Sequence, residues 1–454
     1  MVQIVIVGAG TVGYELAIQL QKQGHDVALI EQRRERVLEI AEKLDILVVP
    51  GSGSSPSALE AAGIRDAEMI LAVTSEDEVN ILACGLAARY GVPQRIARVR
   101  NPELTAAEGK MVLDGFGVTR FINPERVIVQ VIDQIARVPD ALEVFGYHEG
   151  EILISRHIIK PNMPVVDRNL MEILQLAGGR NFLAVALHRN GETRIPGGQD
   201  VLQEGDDVTT LFSRKGLETY LDLLDLGSRT VKSAVVAGRS LTAVQLCESL
   251  SQWVEKVVYL DPDYEHGLDS AERLEGVEVL FGDPTERDVL RDAGVENIDL
   301  FVGAGEDTSQ NVMSALLARS EGAKKIIAIS MEPRSNTLFR EIGVDHVISP
   351  RRLMAQEIMD IIHRGRISVE LQLRDMNLES MEIHAEAGSK ITKDSLAKVW
   401  SPLHGKAIAG AIFRKGEVTI PRGDTKIEAD DDVIVVCQPQ MAPKIQKLFK
   451  GGKK

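Results

Sequence analysis

The chain has 454 residues, 26% charged and 44% apolar, a balance that suits several folded cores and excludes both a disordered and a membrane-embedded protein. Its 52 basic against 67 acidic side chains leave a formal charge of -15, which argues against nucleic acid as a partner, because backbone binding needs clustered Lys and Arg. Cys84, Cys247 and Cys437 are too scattered for a disulfide framework or a thiolate metal set, and no apolar run reaches the roughly 18 residues of a spanning helix.

The opening MVQIVIVGAG reads as a strand running into a glycine turn, without the charged, cleavable flanks of a signal peptide. A helix through Glu15 to Gln23, the strand DVALI, a helix through Arg34 to Leu44, and the strands ILVV and AEMILAVT follow. This alternation predicts βαβ units and a parallel sheet. Gly8-Ala9-Gly10-Thr11-Val12-Gly13 is a G-x-G-x-x-G that follows a strand and opens a helix, the context in which the motif binds a dinucleotide or adenine nucleotide. Gly8 permits the tight turn, Gly10 lets the backbone approach the phosphates, and Gly13 brings the helix onto the strand, while the helix end offers N–H donors. Glu31 ends the second strand, where its carboxylate accepts from ribose hydroxyls. A 2′-phosphate beside it meets about 4 kcal/mol of repulsion at 4 Å and an effective dielectric near 20, so NADP is disfavoured, with Arg33 and Arg34 as a partial offset. Gly51 and Ser52 after the third strand, Thr74 and Ser75 ending the fourth, and Arg98 closing RIARV complete the candidate set. Ser75 and Glu78 also have the spacing of a helix-capping box.

The stretch Arg126 to Ala136 is a helix with more apolar positions than one buried stripe needs. The texture then changes to ILISRHIIK, FLAVALHRNGETRIP and EGDDVTTLF, where HRNGE signals a hairpin. Near Ser233 the programme restarts. SAVVAG answers QIVIVG, KVVYLD answers DVALIE, and Gly238, Asn311 and Pro333 follow Gly8, Asn80 and Pro102 at nearly constant spacing. A second apolar helix, Leu353 to Ile362, leads to SVELQLR, AIAGAIFRKGEVTIP and ADDDVIVVC, with FRKGE as the matching hairpin. The fold class is therefore α/β, two tandem Rossmann-like parallel-sheet domains, each followed by a small α+β module. The expected boundaries are 1–140, 141–227, 228–366 and 367–454, with a linker at Leu226 to Lys232.

At the second turn the sequence is Gly238-Arg239-Ser240-Leu241-Thr242-Ala243, and the side chain of Ser240 stands where bare backbone would meet pyrophosphate. Asp261 takes the place of Glu31, Gly282-Asp283 that of Gly51-Ser52, and Ala304 lies at the end of the fourth strand, so binding at this second site is left open. The acidic clusters Glu204 to Asp207 and Asp430 to Asp432 are read as solvated hairpin entries, with a hard divalent cation as the alternative, and no metal site is expected. His157, His188, His384 and His404 form no pair, so a dehydrogenase would lack a positioned acid or base, and no catalytic residue is expected.

GAGTVGYELA, GSGSSP, LAVTSEDEVN, ARVRNPE and FINPERV resemble the regulator-of-potassium-conductance family, and the tandem arrangement extends the resemblance over essentially the whole chain. The resemblance implies a non-enzymatic, cytoplasmic regulatory subunit, peripheral on the inner face of the cell membrane. It further implies a homo-oligomeric ring, NAD(H) or ATP and ADP as ligands, and a membrane-embedded potassium channel or transporter subunit as partner. Another cation transporter is the alternative partner. Ser52, Arg239 and Ser240 depart from the family pattern, which leaves the second site in doubt.

Overall fold

The computed structural model describes residues 2–178, 181–227, 230–332, 335–363, 368–373 and 377–451. Pro333, and Ser228 and Arg229 of the expected linker, lie outside them. Strands β1 (Gln3–Val7), β2 (Asp26–Glu31), β3 (Leu47–Pro50), β4 (Met69–Ala72), β5 (Gln94–Arg98) and β6 (Arg120–Ile122) form a parallel sheet in the order β3-β2-β1-β4-β5-β6. Continuous apolar runs such as Ile4 to Val7 and Met69 to Ala72 are buried along their whole length, as expected of strands covered by helices on both faces. The strand order reverses between β1 and β4, and the carboxyl ends of these two strands flank the crevice where open α/β sheets take ligands.

Next come β7 (Glu143–Tyr147), β8 (Ile152–Ile158), β9 (Phe182–Arg189), β10 (Glu192–Arg194) and β11 (Asp207–Ser213), an antiparallel sheet ordered β10-β9-β11-β8-β7. The HRNGE hairpin forms as expected. Asn190 and Gly191 both take positive φ, 54° and 82°, and Arg189 pairs with Glu192, the geometry that matches strand twist in a two-residue loop.

The second half repeats the plan. Strands β12 (Ser233–Ala237), β13 (Lys256–Asp261), β14 (Val277–Phe281), β15 (Leu300–Gly303), β16 (Lys325–Ile329) and β17 (His346–Ile348) form a parallel sheet ordered β14-β13-β12-β15-β16-β17. Strands β18 (Ser368–Leu373), β19 (Leu378–His384), β20 (Ala407–Arg414), β21 (Glu417–Thr419) and β22 (Asp432–Cys437) form an antiparallel sheet ordered β18-β19-β22-β20-β21, with Lys415 and Gly416 turning its hairpin at positive φ.

Like packs with like. One compact unit joins Met1–Val129 to Ser233–Met359, and the other joins Gln130–Lys232 to Asp360–Lys454. In the first unit, Arg351 of the helix Pro350–His363 reaches back to the first half and donates from Nε to the Thr11 carbonyl at 3.1 Å. In the second, Ile152, Ile154 and Leu211 share a core with Ala411, Ile434 and Val436, and the Tyr147 hydroxyl bonds to Ser380 Oγ. The helix Pro124–Arg137 buries Ile128, Val129, Ile132, Ile135 and Ala136 along one stripe, which leaves Val127 and Val131 half-buried. The chain passes between units inside this helix and again inside Pro350–His363.

Two readings of the acidic clusters need correction. Asp206 and Asp431 are buried, not solvated, because each takes a forked pair of bonds from an arginine, Arg189 and Arg414, at 2.6–2.7 Å. Among the described residues no helix is long and apolar enough to cross a membrane.

Candidate functional site

The first glycine turn joins β1 to the helix Thr11–Lys22. Gly8 has φ +97°, and a Cβ there would lie 2.9 Å from Thr74 Cγ2, while a Cβ on Gly13 would lie 1.9 Å from the Gly8 carbonyl oxygen. The chain's own packing therefore demands both glycines. Gly10 differs, since a Cβ there would meet nothing within 4 Å. Gly10 is also the N-cap residue, and among the described residues no side-chain cap bond is made at the helix that begins at Thr11, so the amides of Thr11, Val12 and Gly13 form an uncapped end beside open space.

Glu31 is buried at the end of β2 and turns its carboxylate toward the turn, where Oε2 accepts from the Ala9 amide at 3.0 Å and Oε1 from the Arg33 amide at 2.9 Å. Burial pushes its pKa up, but the Arg33 and Ala9 amides and the Arg33 guanidinium at 3.2 Å outweigh burial and hold it below the ordinary carboxylate range. Gly51 donates to the Glu31 carbonyl at 3.0 Å, and Ser52 Oγ sits 2.8 Å from Ser54 Oγ.

Across the crevice, Asn80 ties the ends of β4 and β5 together. Its side-chain oxygen accepts from the Thr74 amide and hydroxyl at 2.9 and 2.8 Å, and its amide donates to the Arg98 carbonyl at 2.9 Å. Arg98 is held below the ordinary arginine range by burial, with the neighbouring Arg100 adding to the effect. Its Nε is buried without a hydrogen-bond partner. Ser75 is exposed, and the expected capping box with Glu78 does not form. The helix Asp77–Arg89 has Glu76 as its N-cap residue without a side-chain cap bond, and the Thr74 hydroxyl accepts from the Glu76 amide instead, at 3.2 Å.

The second turn is closed from within. Gly238 keeps φ +117°, because a Cβ there would lie 2.3 Å from the Gly305 nitrogen. Ser240 caps the helix Leu241–Ser251, its Oγ accepting from the Ala243 amide at 3.0 Å and donating to the Ala304 carbonyl at 2.5 Å. Arg239 pairs with Asp263 at 2.8 Å. Asp261 is fully buried and accepts from the Tyr259 hydroxyl at 2.7 Å and the Asp263 amide at 2.9 Å, with His266 Nδ1 2.5 Å away. Gly282 donates to the Asp261 carbonyl, and Asp283 accepts from Thr285. Asn311 repeats the bonds of Asn80, to Gly305 and the Ile329 carbonyl, but the residue in the place of Arg98 is the buried, apolar Ile329.

The family model of the TrkA-N domain matches residues 4–124 and 234–350, one copy for each parallel sheet. The chain belongs to the TrkA-N domain family. A TrkA-C domain model matches residues 388–450 in the second small module. The Trk system potassium uptake protein TrkA of Azorhizobium caulinodans is 28% identical over 453 residues, 99% of this chain and 98% of the relative. Two solved structures share the fold. The GsuK channel bound to NAD superposes with a TM-score of 0.61 at 17% identity over 98% of this chain and 78% of that one. The GsuK bound to ADP gives 0.51 at 14% identity over 80% and 69%.

Several TrkA-N site features lay beyond sequence reasoning. Asn80 and Asn311 served there only to mark the repeat, although their fixed spacing was the available signal. Arg351 carries no local motif, and Tyr259 and His266 reach Asp261 through side-chain geometry that strand alternation does not encode. Of the four histidines of the dehydrogenase alternative, His157, His188 and His384 each have a different partner. His157 is buried with Nε2 3.1 Å from the Pro139 carbonyl, and His188 Nδ1 lies 2.7 Å from Thr193 Oγ1.

Proposed function

We propose that the chain is a nucleotide-sensing, non-enzymatic regulatory subunit in which NAD(H) or ATP/ADP binds at Gly8 to Gly13. The bound state then sets the activity of a membrane-embedded potassium channel or transporter subunit at the inner face of the cell membrane. The observation that carries this reading is the uncapped helix end beside Gly10, whose missing side chain the chain's own packing does not require. Phosphate at that end would accept from the Thr11, Val12 and Gly13 amides, Glu31 would accept from ribose, and Arg98, whose Nη1 donates to the Thr74 carbonyl at 3.4 Å, would add a positive charge at the end of the neighbouring strands. The naming of the relatives after potassium uptake, and the NAD and ADP bound to GsuK, support the partner and ligand classes.

Arg351 gives the ligand a lever on the second half. Arg351 donates to the Thr11 carbonyl at the start of this helix, so a ligand that shifts the helix start would alter the contact between the halves. Coupling between sites is typically about 1–3 kcal/mol, whereas near-complete switching needs about 5.5 kcal/mol, so a homo-oligomeric ring that pools several sites fits the task.

Calorimetric titration of ATP, ADP, NAD and NADH into the wild type, Gly10→Asp and Ser240→Asp tests the reading. The expected result is binding that Gly10→Asp weakens at least about 100-fold, roughly 2.7 kcal/mol, and that Ser240→Asp leaves intact. Failure of all four ligands to bind the wild type overturns it.

A further inference from the structure

His148, Glu382 and Asp432 come from both small modules and bring one ligand atom each to within 4.8 Å of one another. His148 follows β7 with φ +49°, a left-handed conformation uncommon for a residue with a side chain. Its ring stacks on Phe413 with centroids 3.7 Å apart and planes 15° apart, which fixes the direction of Nε2. That nitrogen is buried and lies 3.1 Å from Glu382 Oε1, yet it is not aligned for a hydrogen bond. Asp432 pairs with Phe413 on one side of β22 and with His384 on the other, and His384 Nδ1 lies 2.8 Å from Asp432 Oδ1. A group that binds one carboxylate oxygen from behind while the other stays available is the usual support of a metal ligand.

With Nε2 unprotonated, its lone pair and a carboxylate oxygen at 3.1 Å repel, whereas a proton on the ring or a metal ion between the two makes the contact attractive. Zinc bonds of about 2.0–2.2 Å place tetrahedral ligand atoms ~3.3 Å apart, close to the His148–Glu382 separation, and Asp432 needs only a small side-chain rotation to join them. One imidazole with two carboxylates suits a borderline divalent cation, whereas Mg²⁺ and Ca²⁺ favour all-oxygen shells.

We propose that His148, Glu382 and Asp432 bind a divalent transition cation of the Zn²⁺ type, with a fourth position left to solvent. The site joins the first small module to the second, so the bound ion braces their shared core, independently of any nucleotide at the glycine turn.

The test uses the full chain, stripped with a chelator, then titrated with ZnCl₂ by calorimetry and melted with and without metal. One Zn²⁺ per chain is expected, with a rise in Tm that equimolar MgCl₂ does not reproduce. His148→Gln and Asp432→Asn are each expected to weaken binding at least tenfold and to remove the rise, while the exposed-site control His404→Gln retains both. If circular dichroism shows His148→Gln unfolded, Glu382→Gln takes its place with the same criteria. Absence of stoichiometric uptake by the wild type overturns the proposal, as does uptake that these substitutions leave unchanged, the mark of scattered surface binding.

Discussion

The turn at Gly8 to Gly13 and its counterpart at Gly238 to Ala243 occupy the same place in sheets of the same strand order, and they differ in what meets the end of the following helix. In the first, Gly10 leaves the helix amides without a side-chain acceptor. In the second, Ser240 supplies the acceptor itself, and Asp261 is enclosed by Tyr259, His266 and Asp263. The pair teaches that the helix-end donors one glycine turn leaves free can be satisfied internally at the equivalent turn by a single side chain. A serine cap stabilises a helix by about 1 kcal/mol, a gain open only to a turn that need not keep its end free for a ligand.

The sharpest break in the comparison is expected at the third position of the motif. Gly13→Ala drives a methyl into the Gly8 carbonyl and should cost about 3 kcal/mol in urea unfolding, although the second half carries Ala243 at the same place. Equal stability of Gly13→Ala and wild type would mean that the first turn shifts freely. Ser240→Ala should cost about 1 kcal/mol through loss of the cap, and a loss much below that would show that neither bond of its Oγ, to the Ala243 amide or to the Ala304 carbonyl, adds net stability. The smallest effect concerns acid. Because Glu31 is held below its ordinary value of 4.5, the stability it contributes is present above that pH and is lost as pH falls through the lower folded value. Glu31→Gln should flatten that part of the acid limb, measured as Tm against pH, and an unchanged limb would place the titration elsewhere.

Much of the architecture was legible because it rests on local signals repeated twice. Alternating strand and helix patterns, glycines at forced conformations and the two hairpin motifs HRNGE and FRKGE each leave a trace within a few residues. The glycine turn was legible where backbone geometry demands a residue type, as at Gly8 and Gly13, and Gly10 and Glu31 were legible from their spacing within the motif. Ser75 and Glu78 show the limit. A capping box is a local pattern, but the helix starts at Asp77, whose carboxylate is taken by the amides of Arg100 and Asn101 from the next strand connection. His148, Glu382 and Asp432 show it more plainly, since no spacing rule connects a residue in one module with two in another, and their meeting depends on a core that only the folded chain assembles.

That interleaving has a consequence for how the molecule is made. The chain visits the first unit, the second, the first again and the second again, so the first unit lacks its later strands until the chain has been made as far as Met359, and the second until Asp360–Lys454 follows. At about 5–20 residues per second, the early half waits roughly ten to fifty seconds for its counterpart, with Ile152, Ile154 and Leu211 still uncovered. Over that interval the nascent chain presents a sticky surface that a chaperone, or a neighbouring nascent chain on the same message, is placed to occupy first.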